Sequence, residues 1–414
     1  MTSLKDTLYD LIVIGGGPAG STVATLVASS GYRVLLLERA SEPTFKIGES
    51  LMPATYWTFQ RLGMLERLRA SRFPRKHSVQ FYGHSGRASA PFYFSENDPH
   101  ESSVTWQVLR SEFDQMLLDN AAGHGANVVR GAVVQKVLFD GDRADGVEVR
   151  FSDGRACDLR SRIVADASGQ SALLARKLDL KKVDPELKKA SIFSHFRGAT
   201  RDAGIDEGAT LVLLTENKDS WFWSIPLADD CTSIGVVGSL DYLLQNRSEN
   251  AQQIFDDELT RCSPLLNRLE GAEQLFPVRV TQDFSYRAGQ LAGDGWLLVG
   301  DAYGFLDPIY SSGVFLALKT GEWAADAICA AFERDDLSAS CLGTFAGDVE
   351  SAMGAVGNLV QAFYTRDFSF SRFLQRYPHC KQGIVDILSG NVFSESVPLV
   401  FGPLREMCGV ELVS

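Results

Sequence analysis

The stretch Tyr9-Asp-Leu-Ile-Val-Ile-Gly-Gly-Gly-Pro-Ala-Gly20 decides how the rest of the chain is read. Its first half is a short apolar run of the kind buried on both faces of a parallel sheet. Gly15, Gly17 and Gly20 follow in GxGxxG spacing, and the small-residue segment Ser21–Ser30 predicts a helix. Gly31-Tyr32 then turns the chain into a second apolar strand, Arg33-Val-Leu-Leu-Leu-Glu38. The glycines permit a tight turn and let a pyrophosphate approach the helix N-terminus, where unpaired N–H groups and the dipole favour anions. Glu38 lies where an acid can accept hydrogen bonds from a ribose diol. Strand, helix, strand and acid in register predict a dinucleotide-binding βαβ unit.

Working outward, Val104–Leu118 reads as a short strand running into an amphipathic helix. Residues 126–165 alternate and carry turn signals at Phe139-Asp-Gly-Asp142 and Ser152-Asp-Gly154, the mark of antiparallel strands. Arg162-Ile-Val-Ala-Asp-Ala-Ser-Gly169 is a further buried strand ending in a polar turn, and Trp296-Leu-Leu-Val-Gly-Asp301 is another. Ser311–Phe332 reads as helix, residues 186–280 as β-rich, and the chain from about Gly343 as helical. No repeat or low-complexity linker separates these regions, so the domains must interleave. The expected division is a discontinuous nucleotide-binding domain (1–75, 101–185 and 281–342), a β-rich substrate domain (76–100 and 186–280) and a helical C-terminal region (343–414).

Composition narrows the function. With 414 residues, 45% apolar and 22% charged, the chain is ordinary globular material. A formal charge of −12 opposes nucleic-acid binding, which needs a basic surface. No apolar run reaches the length of a membrane span, and MTSLKDTLYD lacks the basic-then-apolar layout of a signal peptide. The seven cysteines are scattered without a CxxC pair, which fits reduced thiols in a cytoplasm. The six histidines show no HxH or HExxH spacing, so no metal site is expected.

One βαβ unit suffices for NAD. Here two later turns, Asp166-Ala-Ser-Gly169 and Gly300-Asp301, also end apolar strands, and three such loops are what a flavoprotein uses to hold FAD. At these residues the chain resembles the flavin-dependent halogenases and monooxygenases, whose architecture is shared with aromatic hydroxylases and geranylgeranyl reductases. The resemblance covers about residues 8–335. It rests on GGGPAG (15–20), KIGES (46–50), QVLRSEFD (107–114), DASG (166–169), WFWSIP (221–226) and GDAYGFLDPIYSSG (300–313). It implies an α/β fold in which an FAD-binding Rossmann-like domain interleaves with the β-rich domain. It also implies non-covalent FAD at Gly15, Gly17, Gly20, Glu38, Arg39, Ser50, Arg110, Asp301 and Gly313. Two readings of Arg110 are open, a flavin contact or a surface ion pair with Glu112 or Asp114; Asp301 can serve as helix cap and ribitol contact together. No separate nicotinamide fingerprint occurs, so the flavin is expected to arrive reduced, from a separate NAD(P)H flavin reductase.

Three motifs bear on the reaction. In WFWSIP, Trp221 and Trp223 stand at i and i+2 on a strand and so face the same way. They are either a hydrophobic sheet face or, as the resemblance implies, the family's tryptophan pair near the flavin. FLDPIYSSG (305–313) matches the halogenase pattern F-x-x-P-x-x-S-x-G. Backbone N–H groups of Ser312 and Gly313 then hold chloride or bromide, unless the loop serves packing alone. Arg72-Phe-Pro-Arg-Lys-His-Ser-Val-Gln-Phe-Tyr-Gly83 resembles the family's FPxK stretch, which places the lysine that holds hypohalous acid at Lys76. The alternative is a solvated basic face of Arg72, Arg75, Lys76 and His77; Lys46 is the competing lysine.

Tyr310 occupies the position where tryptophan halogenases carry a glutamate. Without that carboxylate the substrate is expected to be electron-rich, a phenol or pyrrole, free or carrier-bound. The region after Gly343 is shorter than in many family members. A flavin monooxygenase, a geranylgeranyl-reductase-like oxidoreductase and a non-catalytic flavin-binding relay are the competing readings; the last has no need for the tryptophan pair or the halide-like loop.

Overall fold

Strand β1 (Leu8–Ile14), helix α1 (Pro18–Ser29) and strand β2 (Val34–Glu38) form as the opening stretch predicts. Leu11, Ile12 and Val13 are fully buried, and each such aliphatic side chain contributes roughly 1.5–3 kcal/mol. The computed structural model describes Leu4 and residues 7–409 other than 43, 246, 248 and 367, without the side chains of 283 and 284. Half of the N-terminal decapeptide read above for a leader lies outside the described residues.

The first sheet has eight strands. β1 lies between β2 and the strand Ala156–Asp166, parallel to both, and Trp296–Leu298 continues the parallel set. Register is the functional point. Ile14 pairs with Asp166, and Asp166 pairs with Leu298, so the three following turns leave the sheet side by side. The carboxyl ends of parallel strands are where such folds bind ligands.

The hairpin Ala132–Asp140/Arg143–Phe151 is antiparallel, as its alternation predicts. Two details differ from the sequence reading. Asn127–Arg130 runs parallel to β2, and the strand read at residue 162 is the end of an eleven-residue strand. Its first half pairs antiparallel with Arg143–Phe151 and its second half parallel with β1. Alternation reports which face is buried, not the direction of the neighbour.

The second sheet has nine strands. Its long strand Lys181–Arg197 pairs with Cys231–Ser239 and Arg279–Ala288. Ser220–Pro226 and Thr210–Leu214 follow, and Ser78–Tyr82 joins Thr210–Leu214 in parallel. A separate two-stranded ribbon pairs Arg75–Lys76 with Thr105–Trp106. Helix Ser312–Arg334 packs against α1 beneath the first sheet's turns, and the described residues after it form a helical set that includes Ala346–Tyr364 and Pro398–Cys408. Among the described residues no helix is long and apolar enough to cross a membrane.

Candidate active site

A cavity of about 670 Å³ opens where the three turns of the first sheet meet the second sheet. Gly15, Gly17, Glu38, Arg39, Ser50, Arg110, Trp221, Trp223, Asp301 and Gly313 all line it. Gly20, Lys76 and Ser312 are buried behind its wall instead. For Gly20 the reason is packing: an added Cβ would lie 2.0 Å from the Gly15 carbonyl. Gly17 is the opposite case. It caps α1 without any side-chain hydrogen bond, and a Cβ there would meet no atom within 4 Å. The uncapped first turn of α1 therefore faces open cavity, which fits a pyrophosphate. Glu38 accepts from the backbone N–H of Gly16 at 2.7 Å and of Ala40 at 2.8 Å, leaving lone pairs on a carboxylate that borders the cavity. Arg39 donates to Ser171 Oγ at 3.2 Å. These residues fit FAD.

Arg110 is buried, and its partner is Asp114, one turn on, at 2.8 and 3.1 Å. It also donates to the Ile47 carbonyl at 2.6 Å, while Lys46 reaches Asp114 at 3.1 Å. Glu112 pairs with Arg72 on the surface. Burial alone would push the Asp114 carboxyl up, but Arg110 and Lys46 outweigh it and hold the group below its ordinary value. The start of segment 46–50 is thus tied down beside the cavity.

Lys76 points inward from its short strand while Arg75 points out, as alternation requires. It is 2% exposed and has no carboxylate within ion-pair distance among the described residues. Its ammonium donates to Ser50 Oγ at 2.8 Å and to the Leu51 carbonyl at 3.0 Å, and lies 5.5 Å from the Phe94 ring centre. Burial without an anion lowers its pKa to about 7.

Trp221 and Trp223 do share a face, and Phe222 packs on the other side of the sheet. Trp221 Nε1 donates to Tyr364 Oη at 3.1 Å, and Tyr364 donates to Asp307 Oδ2 at 2.9 Å. The other Asp307 oxygen accepts from the Ile309 N–H at 2.9 Å, which shapes the turn into helix Ser312–Arg334. Tyr310 is buried, donates to the Leu359 carbonyl at 3.1 Å and packs against Phe81, Phe363 and Phe370. Ser311, in the left-handed region at φ 59°, delivers the chain into the helix, whose N-terminus has no side-chain cap.

A buried pair escaped the sequence reading. Glu49 Oε1 lies 2.7 Å from His195 Nε2, both nearly inaccessible, with Phe45 edge-on to the imidazole. Burial opposes charging His195, but hydrogen bonds with Cys231 and Glu49 prevail and raise it to about 9. A histidine raised in the folded state stabilises fully below its unfolded value near 6.5 and loses that contribution as pH climbs through about 9. Lys76, lowered on folding, runs the other way above about pH 7, so the test is a difference. Urea unfolding of wild type minus His195→Gln is expected to give a stability gap that shrinks steadily from pH 6.5 to 9.5; a gap constant in pH would refute a charged His195. Asp307 and Tyr364 escaped too. Tyr364 sits in a conspicuous aromatic run, yet nothing local ties it to residue 307.

The tryptophan halogenase family model matches residues 10–103 and 88–372. A 1H-pyrrole-2-carbonyl peptidyl-carrier-protein chlorinase of Pseudomonas fluorescens is 29% identical, over 98% of this chain and 94% of its own. The corresponding brominase of Pseudoalteromonas luteoviolacea is 35% identical over 79% of each. Among solved structures, a flavin-dependent brominase superposes with a TM-score of 0.87 at 30% identity, covering 97% of this chain and 99% of that one. The myxobacterial chondrochloren halogenase gives 0.83 at 29% identity, covering 96% and 97%.

Proposed function

The chain belongs to the tryptophan halogenase family, and from that premise we propose that it halogenates an electron-rich pyrrole or phenol ring with Lys76 as the cation that holds hypohalous acid. It is an FAD-dependent oxidoreductase of the halogenase class, with chloride or bromide as co-substrate. One observation carries the reading: a buried lysine without a carboxylate partner among the described residues adjoins, through Ser50, the cavity that the three nucleotide turns border.

A bound, reduced FAD would supply the activation of oxygen and the oxidation of halide to hypohalous acid. The residues supply the rest. The first turn of α1 and Glu38 hold the nucleotide part, and Arg110 fixes segment 46–50 through Ile47. Trp221 and Trp223 form an apolar wall that excludes water. Lys76, balanced between its charged and neutral forms near pH 7, can hold a proton or release one. Tyr310 offers no carboxylate to direct attack, so a pyrrole nitrogen or phenol oxygen must supply the activation. The carrier-bound pyrrole named for two relatives makes a carrier-protein thioester the foremost candidate substrate, and a separate reductase the electron source.

The test is mass spectrometry of pyrrole and phenol panels, free and carrier-bound, incubated with protein, a flavin reductase, NADH and bromide. A bromine isotope doublet is expected on an electron-rich ring. Oxygenated, unhalogenated products across the panel would move the chain to the monooxygenase reading.

The halide cradle has its own test. Gly313 is the second residue of helix Ser312–Arg334, where proline is tolerated because no intrahelical acceptor needs that N–H. A Cβ at Gly313 would meet only Phe305, at 4.0 Å. Gly313→Pro should therefore fold, yet lose one donor to the anion, worth about 1.5–3 kcal/mol, or roughly tenfold or more in bromide affinity. Ser312→Ala should change that affinity little. Bromide titration of product formation, with FAD content measured on the same samples, decides; equal affinities in both variants would make the loop a packing feature.

A further inference from the structure

Lys76 does not reach the cavity wall itself; two hydroxyls stand in front of it. Ser50 and Thr210 both line the cavity, and their oxygens are 2.8 Å apart. Lys76 Nζ donates to Ser50 Oγ at 2.8 Å. Gln107 Nε2 lies 2.8 Å from the Gly208 carbonyl, which can only accept, so this amide nitrogen is a fixed donor. It also lies 2.9 Å from Thr210 Oγ1 and donates there.

Each hydroxyl already accepts one bond from behind, Ser50 from Lys76 and Thr210 from Gln107. The pair owns two hydroxyl hydrogens, and the bond between them uses one. Whichever way that bond points, one O–H remains with no protein acceptor among the described residues, on a residue that lines the cavity. A hydroxyl chain backed by an ammonium is a stronger donor than a free alcohol.

We propose that this remaining Ser50/Thr210 hydroxyl is the group that meets hypohalous acid and substrate, with Lys76 acting through it as proton source and sink. The inference rests on the halogenase reading and refines which atoms touch the reacting species. In the step, the ring's π pair forms the carbon–halogen bond while the oxygen–halogen bond breaks with its electrons going to oxygen. The hydroxyl passes its proton to that oxygen, releasing water, and is refilled from Lys76. The halogenated ring then gives up its C–H proton, the pair returning to the ring, and the proton travels back through the same hydroxyls to the neutral amine. Hypohalous acid and arene become haloarene and water, and the lysine ends as it began. A lysine that changes charge near neutral pH suits both directions.

The test uses the FAD-bound protein, bromide and whichever panel ring the wild type brominates. Ser50→Ala is expected to cut product by about 100-fold or more, because it severs the chain next to the lysine. Thr210→Val should cost only about three- to tenfold, since Ser50 can then turn its own hydrogen to the cavity, and Ser50→Thr should recover most of the loss. As product falls in Ser50→Ala, hypohalous acid trapped by a diffusible diketone scavenger should rise. A readout independent of turnover follows the amine. Acetylation of Lys76 by acetic anhydride, followed by peptide mass spectrometry against pH, should show a lower midpoint in Ser50→Ala, which lacks the ammonium's acceptor, and little change in Thr210→Val. Ser50→Ala product within threefold of wild type, or an unmoved midpoint, would overturn the proposal. Should the wild type brominate no ring and release no hypohalous acid, the halogenase reading fails separately, and the acetylation midpoints still report on the chain of bonds.

Discussion

Lys76→Ala is expected to lose halogenated product by about 100-fold or more, the scale of a removed proton donor, while oxygen consumption driven by the reductase continues. The separation follows from position: Lys76 touches Ser50, Leu51 and the Phe94 ring, and none of the three nucleotide turns. Loss of FAD binding is therefore not expected. Lys76→Arg should fail nearly as badly, because a planar guanidinium stays charged and cannot take the proton back. Lys76→Met is the control for folding: it keeps the stem's volume and removes an amine buried without an anion, so it should unfold at equal or higher urea concentration. Product and oxygen measured together decide. Wild-type yield from Lys76→Ala would transfer the role to Lys46, whose ammonium is held by Asp114, or to no lysine.

Gly17→Val should abolish FAD binding without unfolding the protein. An added Cβ there meets nothing within 4 Å, so the fold has room for the side chain. The space it would fill is the cavity mouth of α1, where the pyrophosphate must approach the uncapped N–H groups. The valine branch blocks that approach and desolvates the donors. Gly20→Ala makes the contrast, since its Cβ would strike the Gly15 carbonyl at 2.0 Å and disturb the turn itself. Flavin absorbance after reconstitution and urea unfolding of the apoprotein separate the two outcomes. A yellow, fully loaded Gly17→Val protein would refute the FAD assignment of this turn.

What the sequence determined by itself was local. The apolar run before Gly15, the spacing of the glycines and the small residues after them dictate strand, turn and helix through backbone sterics and burial. Period-two alternation put Trp221 and Trp223 on one face, whereas the choice between an inward Lys76 and a solvated basic face waited for the structure. The flavin-dependent family was legible for the same reason, because its loops are contiguous strings whose conformations are set within a few residues.

Only the tertiary structure decided the partners. Arg110 could pair with Glu112 or Asp114 on sequence grounds; burial of one helix face selected Asp114 and left Glu112 to Arg72. Glu49 meets His195 across 146 positions, and Trp221 meets Tyr364 across 143. Thr210 stands before Lys76 because Thr210–Leu214 pairs with Ser78–Tyr82, which directly follows the lysine's strand. Apart from Arg110 and Asp114, which lie one helical turn apart, these pairings leave no periodicity or spacing. The long-range ones depend on elements far apart in the chain closing on one another: a loop on a strand for Glu49 and His195, a helix on a strand for Tyr364 and Trp221, and strand on strand for Thr210. Local chemistry therefore specifies which side chains are buried, while long-range closure specifies what they are buried against.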